Sequence, residues 1–137
     1  MLVNSIKLFI YLFVITAYSF SRADAYTDFF RAVNVDNAGV VAELLDKGFD
    51  PNTLSEKGQV ALFIAMRDDA PKVAAVLLAS PKLNVDAANA AGETPLMMAA
   101  LQGRLDWARK LIETGAKVQK AGWSPVHYAA TGPNTAL

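Results

Sequence analysis

An internal repeat constrains the fold of this chain more than any other feature of its sequence. Residues 92–118 (GETPLMMAALQGRLDWARKLIETGAKV) align with residues 58–85 (GQVALFIAMRDDAPKVAAVLLASPKLNV), glycine over glycine. A further copy opens at Gly122, and residues 26–52 fit the same frame. The opening glycines, Gly58, Gly92 and Gly122, are therefore almost regularly spaced. Self-similarity at such a period is typical of solenoids, in which each unit buries its apolar face against its neighbours.

Each complete copy carries the signals of two consecutive helices. Thr94 and Ser124 both precede a proline, an order that suits a helix start because the hydroxyl accepts a backbone N–H and proline is pre-set for the first turn. Gly48 and Gly115 fall where a second helix should end in a left-handed residue. Apolar residues of the third copy recur at helical spacing, at Leu96, Ala99, Ala100, Leu105, Ala108, Leu111 and Ile112.

These residues resemble the ankyrin-repeat family, whose period is about 33 and whose first helix opens with T-P-L-H-x-A. Residues 94–99 read TPLMMA and residues 124–129 read SPVHYA. The repeat ends LLDKGFDPN and LIETGAKVQ are similar to the family's L-L-x-x-G-A-D-V-N. The resemblance covers residues 26–137 and implies an all-α solenoid of stacked helix-turn-helix repeats with short finger loops. We place the repeats at about 26–57, 58–91 and 92–121, with a partial repeat at 122–137.

Departures from the family pattern occur in every repeat. Asp36 and Asp69 stand where the glycine between the two helices is usual. The first repeat resembles an amino-terminal cap, whose outer face has no neighbour and is polar. The last repeat stops after one helix, at TGPNTAL, so we expect a truncated array or a fragment of a longer one. A cap formed by residues 131–137 folding back is the alternative.

Residues 1–25 have the order of a secretory signal peptide. Lys7 precedes an almost wholly apolar run at residues 8–20, and Ala23 and Ala25 form an A-x-A site. We expect cleavage after Ala25 and an exported protein of bacterial type, periplasmic or secreted. The alternative is an uncleaved membrane anchor, although the run is shorter than the ~20 residues that span a bilayer.

Charge and residue types exclude several classes of function. Cleavage takes two basic and one acidic side chain from totals of 13 each, which leaves 11 and 12 and a net charge of −1. This balance does not favour nucleic acid as a partner. The chain has no cysteine and one histidine, so neither a nucleophilic triad nor a zinc site of the usual type has its partners. We expect no catalysis, no cofactor and no metal, and we interpret His127 as a structural residue of a helix start beside Ser124.

The class of function that these exclusions leave is binding. The resemblance implies that an unidentified protein partner lies on a concave surface made by the finger loops and the first helices. The fingers are residues 53–57, 87–91 and 120–123, and we expect a monomer. The candidate contact residues are Trp123, Lys120, Glu56, Lys57, Asn89, Arg67, Gln102 and Met98.

Trp123 is the candidate anchor, because tryptophan is enriched at interface hot spots. The alternative, equally favoured, is that Trp123 packs over the shortened neighbouring finger. Trp107 is expected in the core, because helical spacing places it with the apolar residues of its helix. Two other functions stay open: a membrane-tethered scaffold that keeps residues 1–25, and the ankyrin part of a longer inhibitor, immunity factor or enzyme.

Overall fold

The computed structural model describes residues 22–118 together with residues 6, 7 and 10. Predictions that fall on residues 119–137, which include Lys120, Trp123, His127 and the partial repeat, lie outside these residues. The described helices are α1 at residues 22–34, α2 at Ala38–Asp46, α3 at Ala61–Asp68, α4 at Pro71–Leu78, α5 at Pro95–Leu101 and α6 at Leu105–Glu113.

The six described helices form three consecutive pairs, which confirms the predicted all-α solenoid. Within residues 22–118 there is no β-strand, and an antiparallel bridge joins Leu54 to Val60. First helices pack on first helices, as α3 does on α5, and second helices pack on second helices, as α2 does on α4. The partners of each pair, α3 with α4 and α5 with α6, also contact each other.

The core runs through the stack along α3 and α5. Residues 61–66 and 95–100 are buried at every position, because each of these helices has neighbours on several sides. Ala61, Ala65 and Ala99 are at most 1% exposed, and their small side chains let the helices approach closely. Trp107 is half-buried and packs against this core.

Ile112 differs from the other predicted apolar positions, since 45% of its surface is exposed. Ala108 and Leu111 are buried on the inner face of α6. Successive helical residues point about 100° apart, so the face that buries Leu111 leaves Ile112 at its edge.

The helix ends follow the sequence signals. The Thr94 hydroxyl accepts a hydrogen bond from the Met97 N–H at 3.3 Å, and Pro95 follows it at the first helical position. Gly48 and Gly115 have φ values of 97° and 107°, as expected for left-handed residues past a second helix.

Asp36 and Asp69 adopt the left-handed conformation that glycine has elsewhere between paired helices. Their φ values are 55° and 59°, close to the 68° of Gly103 in the third repeat. The Asp36 carboxylate accepts a hydrogen bond from the Val73 N–H at 2.8 Å. Val73 lies in the first turn of α4, whose own N-cap residue, Ala70, makes no side-chain capping bond. Asp36 of the first repeat therefore caps a helix of the second repeat.

Arg104 makes the corresponding connection between the second and third repeats. Its Nε donates to the Met66 carbonyl at 2.6 Å, and its Nη2 donates to the Arg67 carbonyl at 3.3 Å. Both carbonyls belong to the last turn of α3, where backbone oxygens have no partner within the helix. Asp69 lies 3.5 Å from Nη1 of Arg104 and adds an ion pair.

Replacing Asp36 with glycine should test the cap between repeats. We expect Asp36→Gly to lower the free energy of unfolding by about 1 kcal/mol more than Asp69→Gly, the usual size of an N-cap contribution. Both variants relieve a left-handed residue; Asp69→Gly also loses an ion pair whose carboxylate is 60% exposed and contributes little, whereas Asp36→Gly loses the cap on α4. Urea unfolding followed by circular dichroism measures both, and equal changes in the two variants would contradict the capping role.

Replacing Arg104 with methionine should weaken the contact between the second and third repeats. The variant keeps an apolar stem and loses the guanidinium, so two helix carbonyls lose their donor, at a cost of about 1–3 kcal/mol in unfolding free energy. The control is Arg109→Met, because Arg109 is 74% exposed and 3.8 Å from Asp106. Such an exposed pair contributes about 0–1 kcal/mol. Urea unfolding that shows equal losses for both variants would disprove the role of Arg104.

Candidate partner-binding surface

A groove of about 440 Å³ lies between helices α1 and α3 and the first finger. Its α1 wall is formed by Tyr26, Phe30, Arg31 and Asn34, together with Val35, which directly follows the helix. The finger contributes Ser55, Glu56 and Lys57, followed by Gln59, and α3 contributes Ile64 and Arg67. The groove therefore joins the first and second repeats and combines ring, aliphatic and charged side chains.

The fingers are ordered by hydrogen bonds at equivalent positions, Ser55 and Asn89. The Ser55 N–H donates to the Gln59 carbonyl at 2.8 Å, and the Gln59 N–H donates back to the Ser55 hydroxyl at 3.2 Å. The Asn89 N–H likewise donates to the Glu93 carbonyl at 3.0 Å. Gly58 has a φ of 73°, which lets the first finger turn tightly at its tip. The fingers thus present their tip residues on a fixed backbone.

Aromatic side chains attach the first finger to α1. The Tyr26 hydroxyl donates to the Leu54 carbonyl at 2.9 Å, although the two residues are distant in sequence. The ring of Tyr26 lies 5.0 Å from that of Phe30, which lies edge-on to Phe29 at 5.1 Å. Phe29 in turn stacks on Phe49 at 4.4 Å and is fully buried. One side of the groove is therefore continuous with the core.

Arg67 is held in one orientation beside the finger. Its Nε and Nη2 donate to the two carboxylate oxygens of Asp68 at 2.8 and 2.9 Å. Its Nη1 donates to the Gln59 side-chain oxygen at 2.9 Å. The hydrogen bonds from Arg67 hold the pKa of Asp68 below its ordinary value, against the effect of burial. The charges of Arg67, Arg104 and Lys57 lower that pKa further, so cations surround this carboxylate.

The structure brings together three of the predicted contact residues. Glu56 and Lys57 are exposed at the tip of the first finger, and Arg67 is partly exposed beside them. All three line the groove. The predicted grouping of finger and first-helix residues therefore has a physical counterpart between the first and second repeats.

The other described candidates lie on the second finger and in the third repeat and are less accessible. Met98 is 8% exposed and belongs to the core, which corrects its assignment as a contact residue, because helix packing already uses its side chain. The Asn89 side chain is engaged within its own finger, where its oxygen accepts from Ala91 and Glu93 N–H groups at 3.0 and 2.9 Å. Gln102 is half-buried, and its amide donates to the Met98 sulfur at 3.8 Å.

Sequence reasoning missed the α1 wall of the groove. Arg31 and Asn34 precede Ile64 and Arg67 by one repeat period, so they occupy the same register positions in the first repeat. The repeat alignment therefore pointed to Arg31 and Asn34 as groove residues. They are absent from the predicted contact residues, because the first repeat is interpreted mainly as a cap. Tyr26 carried no signal, because its bond to the Leu54 carbonyl depends on how the finger folds.

The part of the chain that the structure describes has no metal-binding cluster and no membrane-spanning helix. In that part of the chain, no three His, Cys, Asp or Glu side chains are grouped so that they could hold a metal ion. None of its helices has both the length and the apolar character needed to cross a membrane.

Comparison with known proteins agrees with this architecture. A family model of ankyrin repeats in three copies matches residues 29–121 and 83–136. The chain is 39% identical over 71 residues to a poly(ADP-ribose) polymerase tankyrase of Caenorhabditis elegans, covering 50% of this chain and 3% of that protein. It is 30% identical over 123 residues to the nuclear factor NF-kappa-B p105 subunit of Gallus gallus, covering 85% of this chain and 12% of that protein.

The chain therefore spans only a small part of the length of the relatives it matches. The matched family model extends over most of the chain and over the three helix pairs described above. On this evidence, the chain is a member of the ankyrin-repeat family.

Proposed function

We propose that the chain is an exported ankyrin-repeat module that binds a protein partner on a concave surface made by the fingers and first helices, and that it performs no chemistry. Ankyrin repeats generally mediate protein–protein interaction, and the chain belongs to that family. The observation that carries the proposal is the groove between α1, α3 and the first finger, whose walls are held by the Tyr26 and Arg67 hydrogen bonds.

Residue types in the groove favour binding over catalysis. Its hydroxyls include that of Ser55, which already accepts the Gln59 N–H. A serine nucleophile needs a neighbouring base, most often histidine. The only histidine of the chain is His127, far from the first repeat in sequence, and there is no cysteine. The same groove is suited to holding a peptide segment, because it offers apolar rings and charged donors together.

Export is supported by the order of residues 1–25 and by the packing of α1. Residues 22–24 are exposed and Ala25 is half-buried, whereas the first fully buried side chain of α1 is that of Phe29. Cleavage after Ala25 would leave Phe29 and the Tyr26 bond to Leu54 in place. The proposed destination is a bacterial periplasm or the medium.

Two alternatives remain as proposals. In the first, residues 1–25 are kept and tether a scaffold to a membrane. In the second, these repeats are the binding part of a longer inhibitor, immunity factor or enzyme. The second is favoured by the relatives, since the matched region is 3% of one and 12% of the other.

Intact mass of the exported chain tests the cleavage. The uncleaved chain has a mass of 14.7 kDa, and we expect the exported protein to lack residues 1–25 and to begin at Tyr26. Mass spectrometry of the exported fraction measures this. Ala25→Arg should block processing, because the cleavage site requires small residues. An uncleaved mass in the membrane fraction would support the tethered scaffold instead.

Site-specific photo-crosslinking tests the binding surface. A photoreactive benzoylphenylalanine introduced at Lys57 should crosslink a protein partner in the producing cells, because Lys57 lies at the finger tip and lines the groove. The control is the same group at Arg109, an exposed position on α6. Crosslinked bands are compared by electrophoresis and identified by mass spectrometry. Adducts formed from position 109 and absent from position 57 would place the partner elsewhere.

A further inference from the structure

We propose that the groove selects an extended segment of a protein partner in which a carboxylate side chain stands next to an apolar one. This inference rests on the proposed binding function and adds the chemistry of the partner. It depends on the charge of the groove, on the fixed guanidinium of Arg67 and on an apolar wall that the protein leaves exposed.

Cationic side chains outnumber anionic ones in the lining of the groove, although the Asp68 carboxylate, which pairs with Arg67, lies next to it. Arg31, Lys57 and Arg67 line it against one carboxylate, that of Glu56. Arg31 is paired with Asp28 at 3.4 Å, but that pair is exposed on both sides and such pairs contribute little. Among the described residues, the Lys57 ammonium makes no hydrogen bond or ion pair. A carboxylate from a partner therefore finds an ammonium that makes no ion pair in this part of the chain, although its charge also acts on Asp68 at longer range.

Arg67 adds a second donor that is already oriented. A guanidinium has five N–H groups, and Arg67 uses one on Nε and one on each terminal nitrogen for Asp68 and Gln59. Each terminal nitrogen keeps one further N–H. Because the side chain is fixed before binding, a partner carboxylate would not have to order it.

The α1 wall supplies the apolar part of the recognition. Val35 is 69% exposed and lines the same groove as the half-buried Phe30. An apolar side chain seated there would remove the exposed surface of Val35 from water, which favours binding in proportion to the area buried. The wall and the cations belong to one groove, so both contacts are available to one short segment.

The cationic character belongs to the first groove and is not repeated along the stack. Glu56, Lys57 and Arg67 correspond, in the next repeat, to Ala90, Ala91 and Leu101. The second finger and α5 thus carry neutral side chains at the same register positions. The acidic residue of the partner segment is therefore expected at the first repeats.

Selection from a phage-displayed library of random linear peptides, using the immobilised full chain, tests the proposal. We expect the recovered peptides to share Asp or Glu beside an aliphatic or aromatic residue. Fluorescence anisotropy should show about tenfold weaker binding of these peptides to Lys57→Gln and to Arg67→Gln. Arg109→Gln removes the same charge from exposed α6 and should leave affinity unchanged. Peptides that adhere to the apolar amino-terminal residues would bind all variants equally.

A double-mutant cycle makes the contact specific. Lys57→Gln is the safer variant, because the Lys57 side chain makes no hydrogen bond or ion pair with the described residues and its loss should not unfold the protein. Changing the peptide carboxylate to its amide should also weaken binding about tenfold, and the two changes together should cost little more than either alone. Additive losses would show that Lys57 and the carboxylate do not meet, and would overturn the inference.

The remaining outcomes separate this inference from the proposed function. Recovered peptides that lose affinity in Arg67→Gln but lack a carboxylate would leave the binding function standing and overturn the inference. Tighter binding of a single-stranded oligonucleotide than of any acidic peptide would also overturn it. The selection could also yield no peptide that distinguishes the full chain from the Arg67→Gln and Lys57→Gln variants. That result would contradict both the inference and the proposed use of the groove.

Discussion

The burial of each helix pair against the next is the interaction on which the rest of this structure depends. α3 is buried over residues 61–66 because α4 and α5 pack on it within a core that also includes Phe29 and Val33 of α1, and no single repeat could cover all its faces. With no cysteine in the chain, packing has no help from disulfides. Small residues such as Ala65 and Ala99 keep the stacked helices close. The positions of the fingers follow from this stacking.

Polar side chains fix the register between neighbouring repeats without adding to the apolar core. Asp36 caps α4 from the preceding repeat, and Arg104 binds the last carbonyls of α3 from the following one. At the repeat ends, the Asn52 side chain accepts from the Asn84 N–H at 2.7 Å, and Asp86 accepts from the Lys117 N–H at 2.9 Å. Each such bond satisfies a backbone group that a helix end or a turn leaves open.

The candidate site is a consequence of the same geometry. The turns at Ser55 and Asn89 hold two fingers in similar shapes, yet their tips differ in chemistry, Glu56 and Lys57 on one and Ala90 and Ala91 on the other. A repeat scaffold keeps the backbone constant and lets the exposed positions vary. In the proposed function, specificity for a partner depends on a few exposed tip and helix residues, and the charged ones line the first groove.

The sequence by itself determined the helix pairs, the helix starts at Thr94-Pro95, the left-handed positions at Gly48 and Gly115, and most of the core, because these depend on local periodicity and turn chemistry. It also predicted Lys57 and Arg67 as surface residues of one face. Only the tertiary structure decided that Met98 is buried, that Asn89 is used within its finger, and that Tyr26 joins α1 to that face. Those outcomes depend on contacts between elements distant in sequence, which a repeat pattern does not encode.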